Sequence, residues 1–90
     1  MGITIVKIKI MPESPQTNLE EIKLVSEGII NQNNGTVARI EEEPIAFGLI
    51  AVIITFSISE SQELEPIEEA LSKIKNVSST QIIDMRRAFG

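Results

Sequence analysis

The chain has 90 residues and a net charge of −5, so it is long enough for one small domain and too short for two. It contains no cysteine, histidine, tryptophan or tyrosine, which excludes disulfides, thiolate or imidazole metal sites, and histidine-activated nucleophiles. Its eight basic residues are dispersed except for Arg86 and Arg87, and nucleic-acid backbones are normally held by clustered positive charge. We therefore expect a binding protein rather than an enzyme, without direct contact to nucleic acid.

Neither a membrane segment nor a secretion signal is predicted. Lysines lie within the apolar N-terminal run instead of preceding it. The longest apolar stretch, residues 45–56, is far shorter than the roughly 20 residues that span a bilayer. A chain without cysteine suits a reducing compartment. We expect a cytoplasmic protein with no bound cofactor or metal ion.

The first predicted elements are a strand and a helix. Residues 3–10 alternate apolar side chains with lysines, which indicates a strand, and Pro12 ends it. A helix from Asn18 to about Gln32 follows, because apolar residues recur at helical spacing: Leu19, Ile22, Val25 and Ile29. Its start is capped by Thr17 with Glu20 or by Asn18 with Glu21, and its end by Asn33, Asn34 and Gly35.

Two strands are predicted next. Residues 36–43 alternate imperfectly, which favours a bulge or an edge position. Residues 48–58 form the strongest strand pattern, with one apolar face: Ile50, Val52, Ile54, Phe56 and Ile58. Ala51 and Ile53 make the other face partly apolar, as expected for a central strand.

A second helix is predicted from about Leu64 to Lys75, and a short final strand over residues 77–86. The helix has an apolar stripe of Leu64, Ile67, Leu71 and Ile74. Pro66 is tolerated in its first turn. Glutamates near its start, and Lys73 and Lys75 near its end, complement the helix dipole.

The order strand, helix, strand, strand, helix, strand contains two split β-α-β units. This pattern predicts a ferredoxin-like α+β sandwich, a single domain over residues 1–90. One four-stranded antiparallel sheet would carry both helices on one face, with the first and third strands in the centre. This fold hosts many activities, so function has to be inferred from local chemistry.

Three segments have unusual local chemistry. The stretch EEEPIAFGL at residues 41–49 places Phe47 either in the core or on a projecting loop, where aromatic side chains are frequent binding anchors. The tail DMRRAF at residues 84–89 is either a solvated terminus or a cation presented to an anionic partner site. The stretch MPESP at residues 11–15 is typical of a stiff structural turn.

The chain resembles the archaeal elongation factor 1-beta family over essentially its whole length, and these three segments carry the resemblance. Members are guanine nucleotide exchange factors for the elongation GTPase that delivers aminoacyl-tRNA, and they share the ferredoxin-like fold. The resemblance implies a partner in its GDP-, GTP- and magnesium-bound forms. It also implies that exchange proceeds by disturbing the magnesium and phosphate end of the partner's nucleotide site.

The resemblance also implies the partner-binding residues: Pro44, Ile45, Phe47, Gly48, Arg86 and Arg87. Phe47 corresponds to an aromatic that docks on the GTPase. Arg87, or alternatively Arg86, corresponds to a basic residue inserted toward the magnesium site. The corresponding basic residue in eukaryotic relatives is a lysine, so an arginine here is a departure from their pattern. Related sequences also usually carry a second lysine where this chain has Ile50. Any contact that this second lysine makes cannot be assigned to this chain.

Two other classes of function compete with exchange. A small-ligand regulatory domain would bind an effector and affect no GTPase. An RNA-binding sheet would stack bases on exposed strand aromatics. Phe56 is the one aromatic well inside a predicted strand, and it lies on the proposed core face, which disfavours RNA binding. The oligomeric state does not follow from the sequence.

Overall fold

The computed structural model describes residues 2–89, and its elements follow the predicted order. The strands are β1 (Gly2–Pro12), β2 (Thr36–Pro44), β3 (Ile50–Ser59) and β4 (Val77–Phe89), and the helices are α1 (Leu19–Gln32) and α2 (Glu65–Ser72). The sheet has the order β2-β3-β1-β4, and every neighbouring pair is antiparallel. The ferredoxin-like α+β fold is therefore confirmed, with the first and third strands in the centre.

One face of the sheet packs against both helices and forms the core. The fully buried strand residues of this face are β-branched or aromatic: Val6, Ile8, Ile10, Val52, Ile54 and Phe56. They pack with Ile22 and Ile30 of α1 and with Ile67 and Leu71 of α2. Neither helix of the described residues lies on the opposite face, which we call the open face. Its central residues Ala51 and Ile53 are buried as well.

The edge strand β2 has the predicted irregularity. Its register with β3 shifts between Val37 and Arg39, so Ala38 is the extra residue of a bulge. Pro44 ends the strand. The bulge and the proline explain why the apolar alternation of this segment is imperfect in the sequence.

Helix α1 begins as the second of the two capping alternatives predicts. The Asn18 side-chain oxygen accepts hydrogen bonds from the backbone N–H groups of Glu20 and Glu21. At the other end, Asn34 has a φ of 64°, and the Gly35 N–H bonds to the Ile30 carbonyl at 2.8 Å. Neither helix of the described residues is long and apolar enough to cross a membrane.

The apolar recurrence that predicts α1 does not coincide with the buried face of the helix at Val25. Val25 is exposed, whereas Ser26 is fully buried. Successive helical residues are about 100° apart, so the stripe through Ile22 and Ile30 passes through Ser26 and leaves Val25 at its margin. Because serine is polar, the hydropathy pattern of the sequence does not show that position 26 lies at the centre of the buried stripe.

Helix α2 is shorter, and β4 longer, than predicted. The helix ends at Ser72 instead of Lys75 because the Lys73 and Ile74 N–H groups bond three residues back, which tightens the last turn. Asn76, with a φ of 69°, then turns the chain into β4. That strand runs to Phe89 instead of residue 86, because its pairing with β1 continues to Gly2.

Replacing Ser26 with alanine should stabilise the fold. Its hydroxyl has no hydrogen-bond partner within residues 2–89, and alanine favours the helix. The Ser26→Ala variant should therefore raise the free energy of unfolding by about 1 kcal/mol in a urea titration. Ser72→Ala is the matched control, because its exposed hydroxyl donates to the Glu69 carbonyl at 2.7 Å. A loss of stability in Ser26→Ala alone would show that the hydroxyl is satisfied in the core.

Candidate partner-binding site

The loop between β2 and β3 is a tight turn held by its own backbone. The Ile45 N–H donates to the Leu49 carbonyl at 2.7 Å, and the Leu49 N–H donates to the Ala46 carbonyl at 3.3 Å. Between these bonds, residues 46–49 form a tight β-turn whose two central residues, Phe47 and Gly48, both have positive φ, as in a type I′ turn. The closure projects the middle of the loop outward, while Ile45 and Leu49 stay half-buried beneath it.

Phe47 lies at the tip of this loop and is 94% exposed. Its φ is 64°, in the left-handed region that disfavours a residue with a side chain by about 1–2 kcal/mol. The interpretation of Phe47 as a core residue is therefore wrong. An exposed aromatic side chain held in a strained backbone adds nothing to the core, and strain of this kind is concentrated at binding sites.

Gly48 follows Phe47 with a φ of 76°, which suits glycine, the residue with least cost in this region. A Cβ at this position would lie 3.8 Å from the Cβ and Cγ atoms of Pro15. The β2–β3 loop therefore lies against the stiff turn after β1. Pro44, which precedes the loop, is exposed. Both distinctive loops of the sequence meet at this end of the sheet.

Glu41, Glu42 and Glu43, which precede the loop, do not point their carboxylates at a common site. Glu42 faces α1, where its carboxylate accepts a hydrogen bond from Lys23 Nζ at 2.6 Å. Glu41 and Glu43 alternate with it along the strand and lie on the open face, where Glu43 is 3.9 Å from Lys9 Nζ. Within residues 2–89 no group of three acidic side chains has the arrangement of a metal site.

Arg86 and Arg87 are part of β4, opposite Ile5 and Thr4 of β1. Adjacent strand residues point to opposite faces, so Arg86 lies on the open face and Arg87 on the helix face. Arg86 donates to Asp84 at 2.9 Å. Both arginine side chains are more than two-thirds exposed.

Glu60 is a contact of Arg87 that the sequence did not reveal. Its carboxylate lies 3.3 Å from Arg87 Nε, and its backbone N–H donates to the Gly2 carbonyl at 3.1 Å. A Cβ at Gly2 would overlap the Glu60 carboxylate as it is placed, so glycine at this position leaves space for that group. Glu60 and Arg87 are far apart in sequence and meet only through the strand register.

The structure does not bring the loop and the arginines together. The β2–β3 loop lies where β1 ends, beyond Pro12, whereas Arg87 is opposite Thr4 near the start of β1. Eight residues of extended strand correspond to about 25 Å. A small molecule cannot contact both, but a macromolecular surface can.

Comparison with known proteins decides the family. Residues 5–88 match the EF-1 guanine nucleotide exchange domain. The chain belongs to this family. Elongation factor 1-beta of Methanosarcina barkeri is 43% identical to this exchange domain over 88 residues, covering 97% of the chain and 99% of the relative. Elongation factor 1-beta of Methanobrevibacter smithii is 41% identical over 88 residues, covering 97% and 98%.

The fold of this exchange domain is shared more widely than its sequence. 30S ribosomal protein S6 from Thermotoga maritima has a TM-score of 0.67 at 15% identity, over 96% of this chain and 88% of that chain. The ACT domain from GTP pyrophosphokinase of Chlorobium tepidum has a TM-score of 0.63 at 15% identity, over 88% and 96%. At such low identity these similarities establish the architecture alone.

Phe47→Ala should leave the stability of the exchange domain unchanged, because almost none of the ring is buried. Its urea midpoint should match that of the wild type, whereas Phe56→Ala, at a position with no exposure, should lose about 3–5 kcal/mol. Circular dichroism measures both transitions. Loss of the fold in Phe47→Ala would assign the ring to the core.

Lys23→Met should weaken the attachment of α1 to β2 at neutral pH only. Hydrogen bonds to Glu42 and then to Glu20 raise the pKa of Lys23 above its ordinary value of 10.5. A raised folded-state pKa stabilises the protein below the unfolded-state pKa, and this contribution is lost as the pH rises through the folded-state value.

The variant should therefore lose about 0.5–1 kcal/mol of unfolding free energy at neutral pH, and this difference should vanish in strong alkali. Lys73→Met is the control, because its pair with Glu69 is local to the C-terminal end of α2, joins no second element and is largely exposed. A difference between wild type and Lys23→Met that persists above the folded-state pKa would attribute the effect to packing of the methylene chain.

Proposed function

We propose that this domain promotes GDP release and GTP rebinding on the elongation GTPase that delivers aminoacyl-tRNA. The family match over residues 5–88 carries the proposal. The exposed and strained Phe47 supports it, because this ring is shaped for contact with another molecule and not for the core. The domain would act as a binding partner, without chemistry of its own.

The spacing of the candidate residues favours a macromolecular partner over a small ligand. Phe47 and the arginines are separated by most of the length of a molecule whose longest dimension is 42 Å. Protein interfaces of ordinary size extend over such distances. The groove of about 280 Å³ on the open face beside Lys7, Glu41 and Glu43, by contrast, is open to solvent and lined mostly by charged side chains. Small-molecule pockets are usually enclosed and mainly apolar.

In the proposed mechanism Phe47 contributes binding affinity for the GTPase, and an arginine promotes the release of GDP. The ring anchors the domain on the GTPase, as buried aromatic side chains do in many interfaces. Arg87, or alternatively Arg86, then approaches the magnesium and phosphate end of the nucleotide site. Nucleotide affinity there depends on a magnesium ion that neutralises phosphate charge, so a competing cation loosens GDP.

The ion pairs of the free domain are compatible with this mechanism. Arg86 pairs with Asp84 and Arg87 with Glu60, and both pairs are largely exposed. Exposed pairs contribute at most about 1 kcal/mol. Either arginine can therefore leave its carboxylate for a stronger anionic partner at little cost.

The wild-type domain should accelerate release of fluorescent GDP from the cognate GTPase in a stopped-flow assay. Arg87→Ala should lower the maximal rate about tenfold with little change in half-saturating concentration, because the arginine acts at the nucleotide. Phe47→Ala should raise the half-saturating concentration about tenfold or more, because it removes an anchor.

Arg39→Ala is the matched control, since Arg39 is an exposed arginine of β2 outside the proposed site. A normal rate with Arg87→Ala and a reduced one with Arg86→Ala would transfer the role to Arg86. No acceleration by the wild type at saturation would overturn the proposal of exchange.

A further inference from the structure

The two edges of the sheet differ in how they are protected against strand pairing. An exposed edge presents unpaired backbone N–H and C=O groups, and proteins usually blunt such edges with charges, prolines or bulges. The β2 edge has all three: successive glutamates at residues 41–43, Pro44, and the bulge after Val37. Pairing of another strand along β2 is therefore disfavoured.

The β4 edge is much less protected. It is 13 residues long and is the outermost strand beside β1 within the described chain. Residues 78–83 are uncharged, and the strand contains no proline. Its three charged residues, Asp84, Arg86 and Arg87, have both signs. A bulge at Ile83, where the register with β1 shifts, is its one irregularity near the charges.

The charges of β4 are complementary to those of a second β4 in one register. In antiparallel pairing about a two-fold axis normal to the sheet, opposite residues share a face, so one residue lies directly opposite its own copy and the axis passes midway between the two. We name each register by that residue. An axis at Asp84 or at Arg86 would place identical charges opposite each other. An axis at Met85 places Asp84 of each copy opposite Arg86 of the other, and both lie on the open face.

The other face of this seam is apolar at its centre. Met85 lies on the helix face opposite Val6, and it is 54% exposed although it is a large apolar side chain. With the axis at Met85, the two methionines would be directly opposite, with Cβ atoms about 5 Å apart. Their contact would remove apolar surface from water on the helix face, whereas the Asp84–Arg86 pairs lie on the open face.

We propose that β4 is a self-association edge, where two copies of this chain pair antiparallel about Met85 to form a continuous eight-stranded sheet. Backbone hydrogen bonds hold the seam, the Asp84–Arg86 pairs set its register, and the methionines cover its centre. The bulge at Ile83 keeps the regular seam short. A small interface of this kind is typical of transient association, with a dissociation constant on the order of 0.1–1 mM.

This association does not depend on the proposed exchange activity. It is tested by measuring the molecular mass of the particles in solution, not the rate of nucleotide release. Sedimentation velocity of the full chain at increasing concentration should show reversible dimerisation. The variants Asp84→Arg and Arg86→Asp should each weaken it about tenfold or more, because each places like charges opposite each other across the seam. Circular dichroism should confirm that both variants fold.

Mixing the two variants tests whether the charges pair across the seam. In a heterodimer of Asp84→Arg with Arg86→Asp, each arginine of the first variant lies opposite an aspartate of the second. The equimolar mixture should therefore dimerise as the wild type does. The double variant carrying both changes should also dimerise with itself, because it restores opposite charges in reversed order. Concentration-dependent amide protection confined to β4 should accompany dimer formation.

Three results would overturn the proposal. A wild-type chain that stays monomeric into the millimolar range has no such edge contact. A dimer that both single variants leave intact forms through another surface. Weakly associating single variants whose mixture also stays monomeric would show that the charges act within one chain, through the Asp84–Arg86 pair at 2.9 Å, and not across a seam.

Discussion

Pairing of β1 with β3 is the interaction on which the rest of the molecule depends. Eight antiparallel residue pairs join these strands, from Ile3 with Ser59 to Ile10 with Val52. The pairing sets Val6, Ile8 and Ile10 of β1 opposite Phe56, Ile54 and Val52 of β3, and the helices cover the apolar surface that these six side chains form. Because a domain this small has one core layer, that surface has to supply most of the apolar burial. Both edge strands depend on this pair as well, because β2 is hydrogen-bonded to β3 and β4 to β1.

This arrangement leaves binding to the periphery. Within the described chain, the buried centre holds Ser26 as its one polar residue, so charged and strained groups are at the loops and edges. The β2–β3 loop lies at one end of the central pair, and the arginines of β4 lie near the other. The rigid strands between them fix a separation of about 25 Å. A partner surface therefore meets two contacts at a set distance, which gives orientation as well as affinity.

Much of the fold follows from local sequence patterns, and the exceptions have physical causes. The period of β1 and β3 and the caps of α1 predicted the element order and the central strands correctly. The burial of Ser26 was not predicted, because serine is polar and a hydropathy pattern assigns such a residue to the exposed side of a helix. The length of β4 was missed because its last residues are held by pairing with β1, a tertiary contact. Glu60 was missed for the same reason.

The site was predictable only in part. The sequence pointed to Phe47 but could not decide between the core and a projecting loop, since aromatic residues suit both. The decision rests on backbone geometry: closure of the turn by Ile45 and Leu49 leaves residue 47 in a left-handed conformation with its side chain outward. A buried Phe47 would require that turn to open. Because the loop lies beside Pro15 at Gly48 and is closed by its own backbone hydrogen bonds, the outward position of the aromatic is set by the chain itself and requires no partner.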